Sequence, residues 1–208
     1  MVSITKSPQP KAIKSESDLR SKEIVDKLSE DCRYKCYICE KKPTSPNVEH
    51  IVPCRKNEAL QLDWDNLLIA CARCNNIKGT KYHPIINPTK CDPEDFLSLS
   101  LCTGELIEKV VITQLVKDQA TCQTAELLHL IYNGNGTALG RVGAANLLNE
   151  MSKDIRSFYQ YIKNYETEPG YADIIRDEIS RASTFSAFKR KIVRDNPTLS
   201  QVFVKELA

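Results

Sequence analysis

Leu148, Met151, Ile155, Phe158 and Ile162 return at steps of three and four, the spacing that lines one face of a helix. They predict a long helix from Arg141 to about Asn164. Shorter helices are expected at 125–132, ended by Asn133-Gly134-Asn135-Gly136, and near 171–182, 185–194 and 198–206, with Thr184 and Thr198 as caps. Near the start, Leu19, Ile24, Val25 and Leu28 share one side of a predicted helix from Asp18 to about Glu30. The first half otherwise offers short apolar runs. Val48–Val52 reads as a strand ended by Pro53, Asn66–Ala70 as a second, and a short helix begins after Cys74. That order is strand, strand, helix. Residues 83–120, with prolines at 84, 88 and 93, read as irregular, and the run 105–116 fits a strand or a short helix equally. The polar stretch 1–18, with two prolines, reads as an extended arm. The class expected is α+β: an arm over 1–18, a small core over 19–90 and a mostly helical region over 91–208.

Composition narrows the setting. The 208 residues are 41% hydrophobic and 27% charged, ordinary for a globular protein of one large or two small domains. A net charge of +2 does not make a polycation, so nucleic-acid binding would depend on a local basic patch. No apolar stretch approaches the length that crosses a bilayer, and no membrane partner is expected. The first residues lack the apolar segment of a secretory signal, so a reducing cytoplasm is the expected location.

Nine cysteines are many for such a chain, and their odd number argues against a disulfide frame. Four of them form two Cys-x-x-Cys pairs, Cys36/Cys39 and Cys71/Cys74. Each pair places two sulfurs where one ion takes both, and together they supply the four thiolates of a closed, structural zinc site. The gap between the pairs is longer than a simple zinc ribbon needs, and an inserted hairpin fits it. Cys32, Cys54, Cys91, Cys102 and Cys122 read as buried or incidental thiols.

Between the pairs lies Glu49-His50, and Asn75 follows the last cysteine. On a strand, neighbours point to opposite faces, so a bend or bulge is needed to bring Glu49 and His50 to one centre. A carboxylate oxygen from Glu49 and an amide oxygen from Asn75 suit a hard divalent ion, magnesium or manganese. A metal-free His50 can take a proton from water. Arg33, Lys35, Lys41, Lys42, Arg55, Lys56, Arg73, Lys78 and Lys81 give the segment a basic cast. Arg55, Lys56, Arg73, Lys78 and Lys81 are the candidate nucleic-acid contacts, with Lys78 equally able to pair with a carboxylate. Trp64 is expected to pack on the hairpin rather than stack on a base, and His83 to be a loop histidine near the site. The competing reading is a zinc-ribbon binding module without catalysis, but a plain ribbon needs neither Glu-His on its first strand nor Asn after its fourth cysteine.

Cys36 to about Lys81 resembles the HNH, or ββα-metal, nucleases with a zinc-knuckle frame. The resemblance is carried by CYIC at 36–39, VEHIVP at 48–53 and DWDNLLIACARCNNIKG at 63–79. It implies that His50 is the general base, that Glu49 and Asn75 hold the catalytic ion, and that Asn66 braces the loop orienting the base. Asn75 stands where many members carry histidine, which favours magnesium or manganese over a softer metal. A second, wider resemblance rests on the arm, IINPTKCDPEDF at 85–96, TGEL at 103–106 and TAELLHLIYN at 124–133 with an arginine beyond. These look like the HNH subunits of Septu-type and retron-associated antiphage systems. That resemblance implies a DNA-cleaving effector held by an ATPase of the ABC/SMC-like class. RNA cleavage and a non-catalytic adaptor role stay open.

Overall fold

The computed structural model describes residues 1–54, 57–102, 108–134 and 136–207. After a single 3-10 turn at Asp18–Arg20 comes α1, Lys22–Asp31, which buries Ile24 and Leu28. Strand β1 runs Pro46–His50, and a loop carrying the short α2, Glu58–Gln61, leads to β2, Leu67–Cys71. The two strands pair antiparallel from Pro46↔Cys71 to His50↔Leu67 without a bulge. Helix α3, Ala72–Lys78, leaves β2 with no intervening loop and ends at Gly79, whose φ of 46° few other residues adopt. This is the strand–strand–helix order expected. Two boundaries moved: β1 starts and stops two residues early, and α3 begins before Cys74 because Cys71 itself caps it.

Residues 83–96 are irregular as expected, apart from a 3-10 turn at Pro93–Asp95, but the stretch from 97 to 120 is not. It holds a second antiparallel hairpin, β3 (Leu97–Cys102) and β4 (Lys109–Gln114). The overlooked signal is Leu-Ser-Leu-Ser-Leu at 97–101, apolar at every second position, downstream of all three prolines. Of the run 105–116, residues 109–114 are strand, while 105–107 lie outside the described residues, as do all of TGEL and Asn135 of the Asn-Gly loop.

The rest is helical: α4 (Gln119–Asn133), α5 (Ala138–Tyr165), α6 (Tyr171–Ile179), α7 (Ser186–Asp195), α8 (Pro197–Val202) and α9 (Val204–Leu207). The caps differ from those expected. The Thr184 hydroxyl donates to Asp154 across to α5 (2.9 Å), and left-handed Phe185 starts α7. Asn196 caps α8, accepting the Thr198 and Leu199 amides at 3.0 and 3.1 Å. A long-range contact thus takes Thr184 away from the α7 cap, while at α8 a local amide two residues ahead of Thr198 takes the capping role.

One apolar core joins these parts. It runs from Met1, Val2 and Ile4 of the arm through Leu67–Ala70 of β2 to Leu128, Tyr132 and Phe188. The first residues of the arm are thus core. Tyr132 meets Phe188 edge-on at 5.5 Å and donates its hydroxyl to the Cys39 carbonyl (3.1 Å), tying α4 to the first cysteine pair. A smaller cluster, Phe158, Ile175, Ile179, Val193, Leu199 and Phe203, closes the helical end.

Candidate active site and metal centre

The four paired cysteines converge. Their sulfurs all lie within 4.8 Å of one another, and Cys39 and Cys71 are 3.9 Å apart. A tetrahedral zinc with bonds of about 2.3 Å has sulfur–sulfur edges of about 3.8 Å, so the donor set fits the ion. Local backbone makes the cage. Glu40, at φ 59°, turns the first pair so that its amide reaches the Cys36 carbonyl (2.9 Å) and the Cys36 amide reaches Lys41 (2.8 Å). In the second pair the Cys71 sulfur accepts the Cys74 amide (3.4 Å), so one residue is both cage member and helix cap. Bonds from Cys36, Cys39 and Cys74 hold the Cys71 thiol far below its usual range. Among the described residues no other histidine, cysteine or carboxylate cluster has metal-holding geometry. Cys32 is a packed thiol: burial pushes it up to about 12, and its sulfur accepts the Ile69 amide.

The loop between the strands is tied shut by Asn66. Its Oδ1 accepts the Val52 amide (2.8 Å), and its Nδ2 donates to the Val52 and Leu60 carbonyls (both 2.9 Å). The closed loop presents the Gln61 carbonyl 2.9 Å from His50 Nε2. A carbonyl only accepts, so the neutral ring carries its proton on Nε2 and leaves Nδ1 as the proton acceptor. His50 and Asn75 line one cleft of about 560 Å³, with Leu19, Arg20 and Val48 among its other walls.

Glu49 faces differently. The regular ladder puts it across β1 from His50, and it is 8% exposed. Its Oε1 is 2.7 Å from Lys78 Nζ, which also donates to the His50 carbonyl at 2.7 Å. Lys78 is fully buried, and of the two roles open to it the structure shows the carboxylate pair. Burial pushes the Glu49 carboxyl up, and Lys78 offsets this only in part. Lys78 lies one helical turn from Asn75, so Glu49 is drawn toward the same helix. The bend or bulge expected to unite Glu49 and His50 is absent from β1: His50 and Asn75 share the cleft, while Glu49 lies on the other face of the strand, paired with Lys78 of α3. A carboxylate and an amide oxygen fit magnesium, which commonly takes one or two protein ligands and keeps water and phosphate for the rest.

The basic cast is thinner at the surface than in the sequence. Lys35 is buried and donates to the Ser183 carbonyl (2.7 Å), and Lys41 pairs with Glu150 (2.5 Å). Lys81 is exposed beside Glu126, Arg73 is half-buried, and Arg55 and Lys56 lie outside the described residues. His83 is exposed, and Trp64 is buried, donating to the Ser7 carbonyl (2.8 Å) beneath Lys6. Arg20 was missed by sequence reasoning. It sits on a 3-10 turn 30 residues before His50, and no local pattern marks it as a wall of the same cleft.

Residues 32–81 match the family model described as HNH endonuclease. A curated relative, Septu protein PtuB of Bacillus thuringiensis, is 38% identical over 79 residues, covering 35% of this chain and 31% of that protein. The matched stretch thus spans less than a third of its relative's length. No solved structure matches the chain. No helix among the described residues is long and apolar enough to cross a membrane.

Proposed function

We propose that this chain, whose residues 32–81 match the HNH endonuclease family, is a metal-dependent endonuclease that hydrolyses DNA phosphodiester bonds. The observation that carries the reading is the shared cleft of His50 and Asn75, with the imidazole held by the loop that Asn66 closes. His50 Nδ1 takes the proton of the attacking water. Asn66 positions the ring through Gln61. Glu49 and Asn75 would hold magnesium or manganese, which would supply stabilisation of negative charge at the phosphate and the departing oxygen. Arg20 contacts the phosphate from the cleft wall. The four cysteines hold a structural zinc that pins α3 to the hairpin and so keeps Asn75 opposite His50.

Similarity to a Septu protein supports a wider setting: the effector of an antiphage defence complex in the cytoplasm, restrained by an ABC/SMC-like ATPase of the PtuA type. The nuclease core over 19–90 then supplies the chemistry, and the region over 91–208 is available to the partner. One observation favours a non-catalytic adaptor instead. Glu49 already has a cation, the Lys78 ammonium. The two readings separate in a nicking assay on supercoiled and linear DNA with magnesium or manganese, run beside an RNA panel. His50→Ala is expected to lose at least a hundredfold in rate, as removal of a general base does, with zinc content and melting temperature retained. Cleavage at the wild-type rate by His50→Ala, or no metal-dependent cleavage by the wild-type protein in its complex, sinks the nuclease reading.

A further inference from the structure

Beside the His50 cleft, across residues 45 and 46, lies a second cleft of about 390 Å³. Ser45 and Arg73 border this one, while Pro46 and Asn75 border the first. Its other walls include Lys41, Thr44, Gly143 and Asn146.

Two features of Arg73 single this cleft out. Its Nη2 is buried and makes no hydrogen bond, and no carboxylate of the described residues pairs with it. Lys41, by contrast, is taken by Glu150. A buried guanidinium donor without a partner is costly, and an acceptor entering the cleft would offset that cost. The second feature is Gly143, inside α5. Its backbone is ordinary helix, so no left-handed φ demands glycine there, and glycine weakens a helix interior. Space is tight there: a Cβ at 143 would stand 2.6 Å from Arg73 Nε and 3.1 Å from its Cδ, so the arginine side chain would have to leave its present position. The absent side chain is what lets the guanidinium lie against α5.

We infer that this cleft takes a phosphate of the polynucleotide backbone neighbouring the one at His50, with Arg73 as its anchor and Gly143 as the residue that keeps the anchor in place. The inference rests on the nuclease reading and deepens it. A guanidinium, the hydroxyls of Thr44 and Ser45 and the Asn146 amide are donors of the kind that hold phosphate oxygens without reading bases. The strand would run past the α3–β1 junction with one phosphate on each side of it.

The test uses the full-length, zinc-loaded protein and a fluorescent DNA duplex without divalent ions, titrated over a salt series. Arg73→Ala is expected to weaken binding severalfold and to reduce the slope of log affinity against log salt by about 0.9, one phosphate contact. Gly143→Ala is expected to do the same although every charge remains, Arg73→Lys to recover part of the loss, and the double variant to bind no worse than Arg73→Ala alone. Wild-type affinity and slope in both single variants overturn the inference, as does a loss in Arg73→Ala that Gly143→Ala does not share. Should Gly143→Ala lose zinc or unfold, Arg73→Ala against Arg73→Lys decides. Failure here with His50-dependent cleavage intact removes this subsite alone; a wild-type protein that neither binds nor cuts removes the nuclease reading with it.

Discussion

Lys78 is the clearest buried charge at the candidate site. Its ammonium is fully buried between the Glu49 carboxylate and the His50 carbonyl, and that carboxylate is the one proposed above to hold a divalent ion. Removing one member of a buried pair leaves the other charge without a partner, which costs about 3 kcal/mol or more. Lys78→Met is therefore expected to lower the melting temperature, and magnesium is expected to raise it more in the variant than in the wild type, because the carboxylate has lost its resident cation. Calorimetry with and without magnesium measures both, and equal stabilisation of the two proteins contradicts a metal role for Glu49. Asn66 is the complementary case. Its amide takes part in three hydrogen bonds that a carboxylate or a leucine at this position cannot reproduce.

Helix α3 has seven residues, too few to persist in water by itself. It is stable here because its cap is a cage sulfur and because Cys74 and Lys78 are buried. Its orientation follows from the four-sulfur cage at one end and the Lys78–Glu49 pair at the other. Cys71→Ser removes one of the four sulfurs proposed to hold zinc together with the sulfur cap, while serine still offers a capping hydroxyl. The expected outcome is loss of the ion and unfolding of the 32–81 segment, read as zinc content by atomic emission and as amide exchange across β1, β2 and α3. Full zinc occupancy in Cys71→Ser contradicts the cage.

The molecule is joined by contacts far apart in sequence, and Glu40 is the clearest of them. It is 1% exposed, and its carboxylate meets the Met1 ammonium (2.7 Å), the Ser186 hydroxyl (2.9 Å) and the Ala187 amide (3.1 Å). Burial by itself would raise this carboxyl, but the Met1 ammonium, Lys35 and the Ala187 amide outweigh it and hold it at about 2. A folded value below the unfolded one, near 4.5, means stability that is complete above about pH 4.5 and is lost as pH falls toward 2. The loss is on the order of 3 kcal/mol. Glu40→Gln is expected to be less stable at pH 7 and to show a shallower acid limb in denaturant titrations from pH 6 to 3. An unchanged acid limb contradicts the role given to Glu40.

Short-range chemistry made much of this legible beforehand. Two Cys-x-x-Cys pairs declare a four-sulfur cage because the ion dictates ligand type and spacing, whatever lies between them. Helical periodicity located α5 within three residues at its start and one at its end, because a long amphipathic face repeats its signal many times. Glu49, His50 and Asn75 stood out for their side-chain chemistry and their place around the cysteines, and Asn66 through the resemblance to the HNH nucleases. What the chain could not declare is which of its charges meet. Lys78 and Glu49 are 29 residues apart, Glu40 and Ser186 are 146 apart, and the Arg73 side chain meets Gly143 of α5 although 70 residues separate them. Such pairings are set when the shared core brings the elements together. A lysine is equally basic in sequence whether it ends in solvent or, like Lys35 and Lys78, inside.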